Sequence, residues 1–416
     1  MPSPTSEAYV WAWLPSSTEP VVAGILQRRG TNHRFAYARS YRERPDAISL
    51  YEPELPLREG WIEPREGLTI AGAIRDAGPD AWGQRVIIEG LYGDPRAVDP
   101  GDIDQLTYLL ESASNRIGAL DFQHDPERYV ARQGSATLDE LHGAAMDLVE
   151  GRDLAPELAK ALIDGTAVGG ARPKVVIEDH GRSYIAKLSV STDPYPLVKA
   201  EAVGLELARR VGIEVPPARL TRSLGRDVLL VERFDRVGGA RRLVVSGLTM
   251  VGLDEMFARH ATYPDILDVL RRRGSDPDVG RRLFERIVCN IAIGNNDDHA
   301  RNHAAFWDGT ALTLSPAYDL CPQPRSGETS YQAMAIGREG EARASSLATC
   351  VEAAPIYGID RSDALDVVNA QLDTISEAWD DVAEACELTK AQRGYLFGRQ
   401  VLNPSITYGL PTSPSR

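Results

Sequence analysis

The residues best equipped for chemistry lie between positions 294 and 319. Gly294-Asn295-Asn296-Asp297-Asp298-His299-Ala300-Arg301-Asn302 gathers carboxylates, amides and a histidine, and Tyr318-Asp319-Leu320 follows after a short interval. Phosphoryl transfer from a nucleotide calls for such a set: a carboxylate that orients the attacking hydroxyl, an amide oxygen on a metal ion, and a further carboxylate on the metals. Asp297 and Asn302 stand in the D-x-x-x-x-N spacing of phosphotransfer loops, which makes Asp297 the candidate proton acceptor and Asn302 a candidate Mg²⁺ ligand. Asp319 is the candidate second ligand.

The flanking elements are the ones such a set needs. Asp276-Pro277 reads as an N-cap and first-turn proline, and Leu283, Phe284, Ile287, Val288 and Ile291 recur at helical spacing. A buried helix is thus expected to empty into the acidic loop, where charges are costly unless they bind something. Beyond the loop, Ala304-Ala305-Phe306-Trp307, Asp308-Gly309 and Ala311-Leu312-Thr313-Leu314 spell run, turn and run. That pattern predicts a short hairpin that returns Asp319 beneath Asn302.

A second group of residues suits a nucleotide. Gly165-Thr-Ala-Val-Gly-Gly-Ala-Arg-Pro-Lys174 is a glycine-rich turn entering a strand, where backbone N–H groups can approach phosphates and Arg172 and Lys174 add positive charge. It lacks the Gly-Lys-Ser/Thr ending of a Walker A loop. Residues 175–179 and 183–190 pair as a hairpin across His180-Gly181, with Lys187 inside its second strand. A lysine centred in an apolar strand must be paired or face a ligand. A helix over about 196–211 follows, in which Glu201, or failing it Glu206, is placed to pair with Lys187. Val228 to Arg236 is a buried strand ending abruptly in charge. Glu232 and Phe234 could meet adenine through main-chain groups, and Asp235 could reach the ribose.

The rest of the chain bounds the possibilities. Its 416 residues suffice for two or three domains, and 43% hydrophobic with 25% charged residues is ordinary globular composition. A formal net charge of −14 argues against direct wrapping of nucleic acid. The start shows no secretory signal and no apolar run approaches spanning length, so a cytoplasmic, membrane-free protein is expected. Cys289, Cys321, Cys350 and Cys386 form no C-x-x-C pair, which points to reduced thiols rather than disulfides or zinc. Residues 8–63 alternate as strands (9–14, 20–26 and 35–41), helices are expected over 69–91 and 102–110, and Gly118-Ala-Leu-Asp-Phe closes the segment as a strand. A boundary is expected near 126–135, then helices at 137–149 and 155–164. Residues 403–416 read as a frayed or loosely docked tail.

Gly169-Gly-Ala-Arg-Pro-Lys174, Ala186-Lys-Leu188, Glu232-Arg-Phe-Asp-Arg236, Asn296-Asp-Asp-His-Ala-Arg-Asn302 and Tyr318-Asp-Leu320 together resemble HipA-type serine/threonine kinases, the toxins of HipBA toxin–antitoxin modules. Gly78-Pro-Asp-Ala-Trp-Gly-Gln-Arg85 and Gly118-Ala-Leu-Asp-Phe122 resemble that family's amino-terminal domain, and Gln332-Ala-Met-Ala-Ile-Gly337 its segment after the metal-binding aspartate. The resemblance implies an α+β, two-lobed protein-kinase-like fold. A small β-rich N-terminal domain would span 1–128 and the kinase core 129–416, with an N-lobe to about 236, a mostly helical C-lobe to about 402, and the tail. It implies ATP and Mg²⁺ as cofactors, and a protein substrate in the translation machinery, of which the aminoacyl-tRNA synthetases are the best-known class. It also implies a HipB-like helix-turn-helix antitoxin that alone would bring the acidic chain to DNA. By position, Val168, Gly169, Gly170, Ala171, Arg172 and Lys174 with Lys187 become the phosphate grip. Glu232, Phe234 and Asp235 form the nucleoside side, and His299, Arg301 and Tyr318 line the pocket.

Two positions depart from the family. Asp298 stands where glycine commonly follows the catalytic aspartate, and an added carboxylate can raise its neighbour's pKa or serve as an alternate base. Ala167, beside Thr166, occupies the position of a serine whose autophosphorylation silences some members. A lipid kinase, a small-molecule phosphotransferase and an ATP-binding corepressor share parts of this pattern. A metallohydrolase built on His299 and His303 lacks the H-E-x-x-H glutamate and a third ligand.

Overall fold

The computed structural model describes residues 6–96, 98–166, 172–325, 327, 329–340 and 342–410. The chain forms two compact units. One comprises Met1–Pro194, Arg219–Val245 and Phe306–Ala311; the other comprises Tyr195–Ala218, Ser246–Ala305 and Leu312–Arg416.

The first unit carries two four-stranded sheets. One is ordered β3-β2-β1-β4, from β1 (Glu7–Trp13), β2 (Pro20–Arg29), β3 (Asn32–Tyr37) and β4 (Leu120–Gln123). The alternation expected to run to residue 41 stops at Tyr37. Arg39–Arg42 turns into a helical turn instead, because Tyr41 folds inward, stacks on Tyr37 at 5.6 Å and donates to the Ile48 carbonyl at 2.9 Å. The other sheet is ordered β5-β6-β8-β7, from β5 (Lys174–Asp179), β6 (Arg182–Leu188), β7 (Ala218–Ser223) and β8 (Arg226–Glu232). Val175, Ala186, Leu188, Val228 and Leu230 on one face pack with the helices Leu138–Glu150 and Pro156–Gly165, and with Trp82 and Val86 of the helix Ala81–Tyr92. A strand turns successive side chains to opposite faces, so Lys187, between buried Ala186 and Leu188, points away from that core.

The expected boundary near 128 falls inside this unit. Residues on its two sides share the Trp82 core, and a buried polar seam joins Asn115–Asp121 to Arg233–Arg241. At its centre Asp235, only 2% exposed, accepts from Arg233 at 2.7 Å, from Arg236 at 2.8 Å and from the Gly118 N–H at 2.7 Å.

The second unit is mainly helical and is organised around the helix Val279–Ile293, in which Leu283, Phe284, Ile287, Val288 and Ile291 are fully buried. The helix begins two residues later than the Asp276-Pro277 signal suggested, because the Asp276 carboxylate accepts from the Asp278 N–H at 2.9 Å and caps the preceding turn. It stops at Gly294, whose φ of 76° favours glycine, and whose Cβ would lie 2.6 Å from the Gln400 carbonyl. The expected hairpin forms: Asp308 accepts from the Thr310 and Ala311 N–H groups in its turn, and Ser315 N–H donates to Ala304 at 2.9 Å. The tail is tighter than expected as far as residue 410. Ile406 is 1% exposed, and Leu402 N–H donates to the Ala292 carbonyl at 2.8 Å. Among the described residues no helix is long and apolar enough to cross a membrane.

Candidate active site

In the second unit the loop after Gly294 is tied down at both ends. Asn295 is fully buried; its N–H donates to the Asn290 carbonyl at 2.8 Å and its side-chain amide to Asn290 Oδ1 at 2.9 Å. Asp297 follows at the exposed surface. A single 3₁₀ turn, Ala300–Asn302, then carries Asn302 inward to 7% exposure, and its Nδ2 donates to the Asp297 carbonyl at 3.3 Å. This commits the amide nitrogen to the loop and leaves the oxygen end of the side chain for a cation. The two residues of the D-x-x-x-x-N pair are therefore fixed to each other.

Asp319 is brought to the same place. Tyr318 donates its hydroxyl to the Arg301 carbonyl at 2.6 Å, closing the return of the hairpin onto the loop. Asp319 itself sits at φ 60°. Non-glycine residues pay for that conformation, and it persists where surroundings enforce it, commonly at functional sites. The Asn295 amide, 3.4 Å from the Asp319 carbonyl, is one such constraint.

The electrostatics follow from this gathering. Partial desolvation, where the exposed Asp297 side chain emerges among its neighbours, pushes its carboxyl up; His299 pulls it down, while Asp319 and Asp298 push it up again, and the net shift is upward. A base held above the ordinary carboxylate range is better matched to taking a proton near neutral pH. His299 Nδ1 is buried with no hydrogen-bond partner among the described residues. The donor set fits a magnesium nucleotide: one amide oxygen and one carboxylate are hard oxygen ligands, few enough to leave positions for phosphate oxygens and water. Arg301 and Tyr318 meet through the Arg301 main chain, whereas the Arg301 guanidinium pairs with Glu255 at 2.8 Å.

The residues of the first unit expected to meet a nucleotide fall into different settings. Val168, Gly169, Gly170 and Ala171 lie outside the described residues, as does Ala167. Lys187 lies on the sheet face opposite the core, in register with Leu229 of β8 and Lys174 of β5. Arg172 is 40% exposed and pairs with Asp193. Glu232 forms a partly exposed pair with Arg182 at 2.9 Å, and the Phe234 ring packs edge-on to Phe306 at 5.8 Å. Two expectations need correction. Lys174 is 4% exposed, with its Nζ 3.0 Å from Asp80 Oδ2; that carboxylate also caps the helix Ala81–Tyr92, so this lysine is paired at a helix start rather than reaching out to phosphate. Asp235 is the centre of the buried arginine seam, with its oxygens taken by three donors, and does not reach out to a ribose. Glu206, the reserve partner for Lys187, is held by Arg209 at 2.8 Å and Arg210 at 2.9 Å.

Asp298 is likewise no alternate base. It is 1% exposed, and its Oδ2 accepts from Tyr263 at 2.6 Å, Asn290 at 2.7 Å and His303 at 2.9 Å. Sequence reasoning passed over Tyr263 and Asn290. The available signal was Asn290 itself, a polar side chain on the apolar face of a buried helix, which must find a partner.

An α+β fold of two units, in which a buried helix empties into a D-x-x-x-x-N loop met by a left-handed aspartate, is the kinase-like fold of the HipA type. The HipA-like C-terminal domain matches residues 166–379, just over half of the chain, and the chain belongs to the HipA family. Y4mE of Sinorhizobium fredii, a name that assigns it provisionally to the kinases, is 30% identical over 131 residues, covering 29% of this chain and 31% of that one. The match thus spans about a third of the curated relative. Among solved structures, HipA of Shewanella oneidensis MR-1, from a toxin–antitoxin complex with HipB and operator DNA, matches with a TM-score of 0.65 at 17% identity, covering 96% of both chains. The Helicobacter pylori proinflammatory kinase CtkA matches with a TM-score of 0.43 at 13% identity, over 57% of this chain and 91% of that one.

Proposed function

We propose that this chain is an ATP- and Mg²⁺-dependent serine/threonine protein kinase of the HipA toxin type. The observation that carries the proposal is the juxtaposition of Asp297, Asn302 and a left-handed Asp319 on one tied-down loop system. Asp297 orients the substrate hydroxyl and takes its proton as the oxygen attacks. Asn302 and Asp319 hold the metal, and Lys187, with Arg172 and residues 169–171, grips the phosphates of ATP. His299 and the Arg301–Tyr318 contact shape the same loop surface, and the main chain at Glu232 and Phe234 meets the base. When bound, Mg²⁺ neutralises charge developing on the transferred phosphoryl group. The substrate class that the family suggests is a translation-machinery protein such as an aminoacyl-tRNA synthetase. The partner is a HipB-like helix-turn-helix antitoxin, in keeping with the HipB and operator DNA that accompany the Shewanella protein. Contact with DNA would pass through that partner, as the net charge of −14 favours. Its place of action is the cytoplasm.

The test is labelling of a cell extract with γ-labelled ATP and Mg²⁺. A discrete host protein labelled on serine or threonine, identified by mass spectrometry, is the expected result. ATP binding without any labelled protein overturns the protein-kinase reading, and label on a metabolite or lipid moves it to a small-molecule or lipid phosphotransferase. The metal assignment has its own check. Asp319→Ala should raise the Mg²⁺ concentration needed for nucleotide binding at least ~10-fold, the low end for losing one of two protein ligands. An unchanged Mg²⁺ titration contradicts it.

A further inference from the structure

We propose that Asp298 is a positioning residue that sets the geometry of both Asp297 and Asn302, an inference that rests on the phosphotransfer reading of the same loop. One oxygen of this buried carboxylate, Oδ2, receives three donors from three elements: Tyr263 at the start of one helix, Asn290 near the end of another, and His303 after the 3₁₀ turn. Tyr263, Asn290 and His303 are each no more than 2% exposed. The His303 ring also meets Tyr263 edge-on at 5.5 Å.

The placement gives this hub its consequence. Asp298 directly follows Asp297, and His303 directly follows Asn302, so the Asp298–His303 contact closes the loop that carries Asn302 and that Asp297 immediately precedes. The network reaches further through Asn290, whose Oδ1 accepts from Asn295 at 2.9 Å, and the Asn295 amide lies 3.4 Å from the carbonyl of left-handed Asp319. One buried acceptor is thereby connected to the proton acceptor and to both metal ligands. A base must be reachable and must lose and gain a proton; a hub acceptor need only keep one oxygen in place. Because all three donors converge on a single oxygen, an asparagine whose Oδ1 takes that place preserves the hub, whereas alanine leaves three buried donors without an acceptor.

The test compares Asp298→Asn, Asp298→Ala and Tyr263→Phe with wild type, by phosphoryl transfer at saturating Mg²⁺ and, separately, by Mg²⁺ titration of ATP binding. Asp298→Asn should keep kcat within about tenfold. Asp298→Ala should lose about 100-fold in kcat, the scale of a displacement near 1 Å, with KM for ATP within about threefold. In the binding titration alanine should raise the half-saturating Mg²⁺ severalfold, and asparagine should not. Tyr263→Phe, which only removes one donor, should lie between wild type and alanine, and it keeps the question open to test if alanine fails to fold. Transfer by Asp298→Asn as low as by Asp297→Asn makes Asp298 a base and overturns the proposal. So does wild-type kcat in Asp298→Ala, or a change confined to KM. If wild type transfers no phosphate, the kinase reading fails on its own account, and the Mg²⁺ titration still decides whether Asp298 positions the ligands.

Discussion

Asp235→Ala is expected to destabilise the first unit by about 3–5 kcal/mol, the cost of removing one partner from a buried charge pair. The change leaves Arg233, 3% exposed, and the largely buried Arg236 without their counter-charge, and leaves the Gly118 N–H without its acceptor. Denaturant unfolding of wild type and variant measures the difference; a shift below about 1 kcal/mol, the value of an exposed pair, would contradict the assignment. The pH dependence has a fixed sign. Burial alone would raise the Asp235 pKa, but the guanidiniums of Arg233 and Arg236 outweigh it and hold the carboxyl well below its ordinary value. A folded pKa below the unfolded one contributes stability above the unfolded value, about 3.9, that is lost as pH falls toward the folded value. Wild type should therefore lose stability below about pH 4, and Asp235→Asn should show a shallower acid dependence from a lower starting point. A ribose ligand would behave otherwise: its loss would weaken nucleotide binding and leave unfolding unchanged.

Asp297→Asn should bind Mg-ATP as wild type does and lose about 10²- to 10⁴-fold in transfer rate, the range for a positioned acid–base group. Asparagine preserves volume, and Asp297 holds Asn302 through its main-chain carbonyl, so Asn302 keeps its anchor. What the variant lacks is an oxygen able to take a proton. In wild type that oxygen must be unprotonated, so the rate should fall as pH drops through the Asp297 pKa. With desolvation foremost in raising it, the midpoint of the acid limb should lie above about 3.9. A metal bound at Asp319 would remove one of the upward pushes and leave the desolvation in force. A variant with transfer near wild type moves the proton acceptor elsewhere.

The sequence was most legible where chemistry and local structure point the same way. Asp297, Asn302 and Asp319 could be singled out as candidates because an apolar helical repeat, an Asn/Asp loop and an Asp-Gly hairpin follow in order, and each is a local signal. The placement of Lys187 inside the second strand of a hairpin was likewise a local signal. The roles of Lys174 and Asp235 were not legible, because each is decided by a residue far along the chain: Asp80 for the first, and Gly118, reached through the Asn115–Asp121 segment, for the second. A charge at a strand end looks the same in sequence whether it meets a nucleotide or a buried partner, and only burial separates the two. Asp298 posed the same problem at closer range. Its neighbours suggested a spare base, and the three donors that immobilise it come from positions 263, 290 and 303. The boundary near 128 read as a linker by composition, although the Trp82 core and the arginine seam run across it.

The most direct test of the central claim is a time course of γ-phosphate transfer from Mg-ATP to protein serine and threonine, with wild type and Asp297→Asn at equal nucleotide occupancy. Phosphoserine or phosphothreonine accumulating with wild type, and at least ~100-fold more slowly with the variant, is the predicted result. Equal accumulation by both proteins, or label that appears only as inorganic phosphate with wild type, would contradict it.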